Sequence, residues 1–574
     1  MQTYIIEKIP AKNGLFTLKV NNLFLHSKYD PLKESEQFAQ KHYTENYLHI
    51  MFGFGLGYYA SALQRKFGEN DRLIIIDPLF EKHENSTELE GIPIFYDIDP
   101  QKIESEIKKL LVEYAVNVKV ICLPNHEKLF PTEYKRVLNI VQDVLRINAI
   151  YRNTINFFAE SWQENYVRNL IHVLKDESLT TLEKRFDFPV VVASGGPSLI
   201  KQIPKLKEVR NKIILIASGS TINTLLHYNI EPDFIVSIDG SENNYNHFKD
   251  NVFTNSYFIY SIRNHYKIRN QFKKRAFSFI PSIESDVREH VEKITHQKLP
   301  MLFGGSSVAN YALTISLYIS TGKIALVGQD LAYTDNKTHA EHNKYFKKVD
   351  DNFKKERSAF YIEGYNGDQV LTDAPLLSMK KNFEQILELS NEKDRLFNCT
   401  EGGAKIEGFQ QISFNDFCCD LSDINIDLNF DEINNINIGN FVDEIEKEII
   451  TYEKLVVSLD KASKLLKRNK SNSTFNNKVI RGLDKIDKEI KKIFDTVSMN
   501  SIVEPITIDT LNYFLPKQNE SKKEEFDRVF SQNDQLYNRL LSAAKLSKQY
   551  TEELLEDVTK ITEGENNDGS TRTN

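Results

Sequence analysis

Residues 189–199 read PVVVASGGPSL, three valines that give way to small and polar residues. A short, continuous apolar run bounded by turn signals fits a strand buried on both faces. Its end admits two explanations. The glycines let backbone approach an anionic ligand closely, or they make a tight turn from strand into helix. Pro197 can open that helix at its first position, where no backbone N–H is required. Recurrence favours a ligand: KIILIASGSTINTLL (212–226) again sets Ser218, Gly219 and Ser220 between an apolar run and a helical stretch. DFIVSIDG (233–240), YFIYSIRN (257–264), FSFIPSI (277–283) and KIALVGQD (323–330) continue the series. Short apolar runs alternating with helical segments imply a largely parallel sheet covered on both faces. Their polar residues collect at the C-terminal ends of the runs, where open α/β sheets bind ligands.

The 574-residue chain exceeds one hydrophobic core, so several domains are expected. With 40% hydrophobic residues, 11% aromatics and one Trp it reads as globular and soluble. A net charge of -8 argues against a general nucleic-acid binder but leaves room for a local basic pocket. Cys122, Cys399, Cys418 and Cys419 show no CxxC spacing, and reduced thiols in a cytoplasm fit them best. MQTYIIEKIPAKNG lacks a basic start followed by an apolar run, and no stretch reaches the roughly 20 apolar residues of a membrane span. The expectation is a cytoplasmic protein with no membrane partner.

Residues 1–150 form the first domain of the reading. Within it, YLHIMFGFGLGYYASALQRKF (47–67) and RLIIIDPLF (72–80) make an apolar run, a glycine turn, a helix and a second run ending at Asp77. Gly53, Gly55 and Gly57 give G-x-G-x-G, which suggests a methyltransferase-like Rossmann unit. So short a pattern also serves as a purely structural turn that binds nothing, and that is the reading taken here. Residues 151–185 form a linker helix, with Trp162, Tyr166 and Leu170 on one packing face. The α/β series fills a central domain over 186–434, Lys- and Glu-rich amphipathic helices form a C-terminal helical bundle over 435–564, and 565–574 form a disordered tail.

Candidate site residues follow from the strand ends. Ser194, Gly195, Gly196, Pro197 and Ser198 form one turn, and Ser218, Gly219 and Ser220 another. Asp239 ends its run as a lone carboxylate that could hydrogen-bond a ribose, hold a metal or cap a helix. GGSSVAN (304–310) offers Ser306 and Ser307 as neutral hydroxyl donors suited to a carboxylate or a sugar. In VGQDLAYTDNKTHAEH (327–342), Gln329 and Asp330 leave the strand end and His339 follows in a polar loop. Its imidazole titrates near neutrality and suits a general base. His339 and His342 are spaced like two metal ligands, but no third is evident. CTEGGAKIEG (399–408) adds Glu401, Gly402 and Gly403 in a further turn.

ASGGPSL, ASGSTINTLLHYNIEPDFIVSID, GGSSVANYALTISLYISTGKIALVGQDLAYTDNKTHA and TEGGAKIEG, in that order over roughly 185–410, resemble the motility accessory factor (Maf) family, flagellin glycosyltransferases of bacteria. Gly195–Gly196 stands where the family commonly has a single glycine. The resemblance implies a central domain similar to bacterial sialyltransferases that use CMP-activated sugars, with a Rossmann-like domain before it and a helical domain after it. It implies transfer of a nonulosonic acid, such as pseudaminic or legionaminic acid, to Ser or Thr of flagellin, a step needed for flagellum assembly and motility. On that reading the turns at 194–198 and 218–220 hold the nucleotide and phosphate, and Asp239 positions the nucleotide. Ser306 and Ser307 contact the sugar carboxylate, while His339 is the base with Asp330 orienting it or replacing it. No tightly bound cofactor and no metal are expected; flagellin and the CMP-sugar are the partners. A pyrophosphokinase related to pterin enzymes is the rival enzyme, though the carboxylates such chemistry uses for magnesium are not found in tandem. A flagellin-binding chaperone with a vestigial nucleotide site is the rival of another class.

Overall fold

The computed structural model describes residues 4–79, 91–114, 117–305, 307–422, 426–430, 438–470, 474–516 and 520–569. Two compact units emerge: Met1–Phe157 with Ser458–Lys488 and Ile502–Leu541, and Phe158–Val457 with Glu489–Ser501 and Ser542–Asn574.

In the first unit β1 (Ile6–Pro10), β2 (Phe16–Val20) and β3 (Leu23–Phe24) pair antiparallel. A parallel sheet follows, built from β4 (Tyr47–Phe52), β5 (Arg72–Ile76), β6 (Ile94–Phe95) and β7 (Asn117–Cys122) in the order β6-β5-β4-β7. The helix Tyr58–Gln64 completes the expected βαβ crossover. Alternation along β4 and β5 decides their packing. Leu48, Ile50, Phe52, Ile74 and Ile76 enter one core, while Met51, Leu73 and Ile75 pack against Tyr59, Ala60 and Leu63 in another.

The second unit holds a ten-stranded parallel sheet: β8 (Glu177–Ser178), β9 (Val190–Ala193), β10 (Ile214–Ser218), β11 (Phe234–Ser237), β12 (Tyr257–Ser261), β13 (Ala276–Pro281), β14 (Met301–Leu302) and β15 (Ile324–Val327). After the antiparallel hairpin of β16 (Phe360–Glu363) and β17 (Gln369–Thr372), β18 (Leu396–Asn398) and β19 (Gln410–Gln411) complete it. Both faces are covered, as the continuous apolar runs require. Val190, Val192, Ile214 and Ile216 pack with the helix Val308–Ile319, and Val191, Ala193, Leu215 and Ala217 with the helix Leu199–Val209. The sheet order is β14-β13-β12-β11-β10-β9-β15-β18-β19, with β8 beside β13. From β9 the chain builds outward to β14, then returns to lay β15 on the other side of β9. That reversal opens a crevice beyond the C-terminal ends of β9 and β15.

The helix expected from 151 begins earlier and runs 45 residues, Pro131–Lys175, because Pro131 is well placed at a first helical position. The helices Ile438–Lys467, Asn477–Phe494, Asn500–Tyr513 and Lys522–Gly569 occupy the region read as one C-terminal bundle, yet their contacts divide between the two units. Of the tail, residues 565–569 continue the last helix, and 570–574 lie outside the described residues. Among the described residues no helix is long and apolar enough to cross a membrane.

Candidate functional site

The turns after β9 and β15 are stitched together. Ser194 N–H donates to Val327 O at 3.0 Å, and Gly196 N–H to Gly328 O at 2.8 Å. A side chain on Gly196 would collide with the Asp330 carboxylate and Gly328 O, so glycine is obligatory there for the close approach of the two turns. Gly195 has more room: a Cβ would come no nearer than 3.0 Å, to Asn343 Nδ2. Asp330 is buried, with Oδ1 accepting from Ser198 N–H at 3.1 Å and Ser198 Oγ at 2.8 Å, and Oδ2 from Thr334 Oγ1 at 2.6 Å. Burial raises its pKa and these hydrogen bonds oppose the rise. Helix formation begins at Leu199, with Ser198 rather than Pro197 at the boundary, and the Ser198 hydroxyl makes no cap because Asp330 takes it.

Above these turns lies a cavity of about 540 Å³. It brings together Ser194, Gly195, Gly196, Pro197, Ser218, Ser220, Asp239, Ser307, Gln329, Asp330 and His339 of the residues expected from sequence. Gly219 lines a neighbouring recess of about 170 Å³ with Ser218, Ser220 and Asp239. Ser198 and Ser307 differ from expectation in being committed elsewhere. The Ser307 hydroxyl caps the helix Val308–Ile319, accepting from Asn310 N–H at 3.2 Å and donating to Asn310 Oδ1 at 2.6 Å. Ser306 lies outside the described residues. The turn Glu401–Gly403 sits behind Asp330 rather than on the cavity: Ala404 N–H donates to Asp330 O at 2.7 Å, and Glu401 Oε2 accepts from Phe414 N–H at 3.1 Å. Ser194 Oγ donates to Gln329 Oε1 at 2.5 Å, and Asp239 Oδ1 accepts from Ser241 N–H at 2.8 Å.

The His339 loop is fastened to both glycine turns. Ala340 N–H donates to Gly195 O at 2.9 Å, Asn343 Nδ2 to Ser220 O at 2.7 Å, and Thr224 Oγ1 to Glu341 O at 3.1 Å. Burial lowers the His339 pKa against a hydrogen bond to the Tyr345 backbone, and among the described residues its Nδ1 has no hydrogen-bond partner. The imidazole is therefore neutral at pH 7 and able to accept a proton. His342 turns away to stack on His227 at 3.5 Å between ring centroids, so the two loop histidines do not converge. Among the described residues no three His, Cys, Asp or Glu side chains group as metal ligands would.

Trp162, Arg263 and Glu284 also line the cavity, although none of them is among the residues that the strand-end turns point to. Trp162 has the helical spacing of Tyr166 and Leu170; those two are buried in the core, but Trp162 reaches the cavity. Arg263, two residues beyond β12, is 8% exposed and donates through Nη2 to Asp286 Oδ2 at 2.7 Å. Glu284, three residues beyond β13, accepts from Ser261 Oγ at 3.2 Å. Burial pushes the Glu284 carboxyl up to about 7 against the opposing charge of Arg263. Both obey the strand-end rule that locates the glycine turns, since Arg263 ends the run YFIYSIRN but for one residue and Glu284 directly follows FSFIPSI.

The N-terminal glycine turn is closed by its own protein. Asp77 is fully buried, accepting from Phe54 N–H at 2.8 Å and Gly55 N–H at 3.2 Å through Oδ2, and from Leu79 N–H at 2.8 Å through Oδ1. His26 Nε2 accepts from Leu56 N–H at 2.9 Å, and the His26 and His126 rings fill the space that side chains on Gly55 and Gly53 would take. Asp77 ends its strand where a dinucleotide-binding fold places a ribose carboxylate, and here it is spent on the loop itself.

A family model described as 6-hydroxymethylpterin diphosphokinase MptE-like matches residues 164–336, a span that includes both glycine turns, Arg263, Glu284 and Asp330 and stops short of His339. The solved structure of a Maf glycosyltransferase from Magnetospirillum magneticum AMB-1 superposes with a TM-score of 0.55 at 14% identity, over 97% of this chain and 92% of that one. At that identity the likeness establishes the fold. No curated protein matches the chain.

Proposed function

We propose that the protein is a glycosyltransferase that moves a nonulosonic acid, pseudaminic, legionaminic or related, from a CMP-activated donor to Ser or Thr hydroxyls of flagellin in the cytoplasm. The observation that carries this reading is the placement of His339, a neutral imidazole held by Ala340 against the glycine turn of a switch-point cavity. The overall likeness to a Maf glycosyltransferase supports it. Glycosyl transfer from such a donor needs a nucleotide cradle, donors toward the departing phosphate and an acceptor for the hydroxyl proton. The turns Ser194–Pro197 and Ser218–Ser220 wall the cradle, where Gly195 and the Ser218–Ser220 segment offer the donors because the Ser194 and Gly196 N–H groups are taken by the turn after β15, and Asp239 serves the nucleotide. Ser307 and Gln329 shape the sugar end. His339 takes the acceptor proton as the hydroxyl attacks the anomeric carbon, and the CMP phosphate leaves with the bonding electron pair. Asp330 acts through the turns that it joins.

A second reading, transfer of diphosphate to a pterin alcohol, draws on the MptE-like match. It shares the nucleotide cradle but adds magnesium, for which Asp239 is an exposed carboxylate in the cavity lining. The deciding experiment is the intact mass of flagellin coexpressed with a nonulosonic acid pathway, with and without this protein. A mass increment per site that appears only with the protein supports transfer. Unmodified flagellin alongside AMP release from ATP and a hydroxymethylpterin would give the second reading precedence.

A further inference from the structure

We propose that Arg263 and Glu284 form an anion-receiving subsite at the β12–β13 end of the cavity, taking a negatively charged oxygen group of the substrate. The inference deepens the glycosyltransferase reading and rests on it for the carrier of the anion, which is either the nucleotide phosphate or the carboxylate of an acidic sugar. Arg263 and His339 are the basic side chains that line the cavity, and only Arg263 carries a permanent charge. The Arg263 side chain is 10% exposed; among the described residues its ion pair to Asp286 engages Nη2, and its buried Nε has no acceptor. A guanidinium has five N–H donors in a planar fork, so most of this one is uncommitted. Folded proteins rarely bury an unpaired donor without a role for it.

Glu284 completes the chemistry. Ser261 Oγ donates to Glu284 Oε2, and the same hydroxyl accepts from Arg263 N–H at 3.2 Å, so one serine fixes both residues. Arg263 and Asp286 are the charged groups that act on Glu284, and the Tyr311 phenol also feels its charge. With its carboxyl pushed up to about 7 by burial, Glu284 can hold a proton near neutral pH, where an ordinary carboxyl is ionised. A protonated carboxyl donates to an incoming anion instead of repelling it. An anion beside Glu284 in turn favours the proton, so binding draws a proton from solution.

The test uses the full chain and calorimetry with CMP, CMP-N-acetylneuraminic acid and pyrophosphate, on wild type, Arg263→Lys, Arg263→Gln and Glu284→Gln. Arg263→Lys keeps a charge for Asp286 but not the planar fork, which guards against loss of fold in Arg263→Gln. The expected result is a roughly 10- to 100-fold loss of affinity in both Arg263 variants, with melting temperatures near wild type. Glu284→Gln keeps a donor but cannot take up a proton, so anion binding to it at pH 7 should no longer draw a proton from solution, and proton uptake equal to wild type would remove Glu284 from the subsite. Loss for CMP itself assigns the subsite to phosphate, and loss confined to the sugar nucleotide assigns it to carboxylate. If wild type binds only pyrophosphate and does so through Arg263, the subsite stands and the glycosyltransferase reading falls. Wild-type affinities in both Arg263 variants, or no binding of any probe to wild type, overturn the subsite.

Discussion

The carboxylate of Asp330 accepts from Ser198 twice, from its backbone N–H at 3.1 Å and from its hydroxyl at 2.8 Å, and so ties the turn after β15 to the turn after β9. These strands flank the point where the sheet order reverses. Asn at 330 would set an amide against donors that need an acceptor, in a fully buried place. Asp330→Asn should therefore lower the unfolding free energy by about 2–4 kcal/mol and weaken nucleotide binding with it. Chemical denaturation with calorimetry checks this. A variant that keeps wild-type stability and CMP affinity but loses all turnover would make Asp330 the base.

His339→Asn should act on rate alone. The loop stays pinned through Ala340, Asn343 and Glu341, none of which uses the imidazole. Transfer should fall roughly 10²- to 10⁴-fold with nucleotide affinity little changed. Because burial lowers the His339 pKa, the wild-type rate should stay flat below the usual imidazole range and decline only at more acidic pH. Near-normal transfer by the variant would leave His339 as a wall of the cavity.

Much of this site was legible because one rule, polar residues at the ends of buried parallel strands, applies to local sequence. Ser194–Pro197, Ser218, Ser220, Asp239 and Gln329 meet in one cavity for that reason, and His339 joins them from the polar loop beyond β15. What sequence could not show is which polar groups are already spent. Ser198 and Ser307 look like free hydroxyls in a string of letters, yet one holds Asp330 and the other caps a helix. Glu401–Gly403 has the same glycine-rich look as the cavity turns, but its partner is the backbone of Asp330 seventy residues earlier, a contact set by tertiary packing. Helix boundaries suffered similarly: the pattern at 151 continues back to Pro131, and the C-terminal helices are amphipathic without revealing which unit each one covers.

Metal dependence separates the two enzyme readings. The glycosyltransferase reading predicts turnover that survives EDTA, since fixed donors of the protein rather than a cation would meet the leaving phosphate. Loss in EDTA with recovery in magnesium, tracked together with Asp239→Asn, would favour diphosphate transfer.

Glu284 should leave a signature in stability against pH. Its folded pKa is raised from 4.5 to about 7, so between those values the folded chain holds a proton that the unfolded chain has released. The stabilisation is full below about pH 4.5 and is lost as pH rises through 7. The full change should be about 3 kcal/mol. Glu284→Gln should flatten that slope in denaturation series from pH 5 to 8. An unchanged slope would show that the carboxyl is not shifted.

The N-terminal glycine turn should prove structural. Asp77 satisfies three loop N–H groups with its two oxygens, and His26 accepts a fourth. The His126 ring lies against Gly53, and its pKa is lowered chiefly by burial. A ligand phosphate entering this loop would have to displace both rings and compete with a buried carboxylate for the same donors. Wild type should accordingly show no binding of S-adenosylmethionine or NAD by calorimetry. Asp77→Ala would leave the loop donors unpaired and cost about 2–4 kcal/mol of stability. Gly55→Ala would press a methyl group into His26 at a backbone φ of 59° and should also destabilise, while transfer by the folded fraction stays near wild type. Tight S-adenosylmethionine binding that disappears in a folded Asp77→Ala variant would reverse this assignment and give the first unit a ligand of its own.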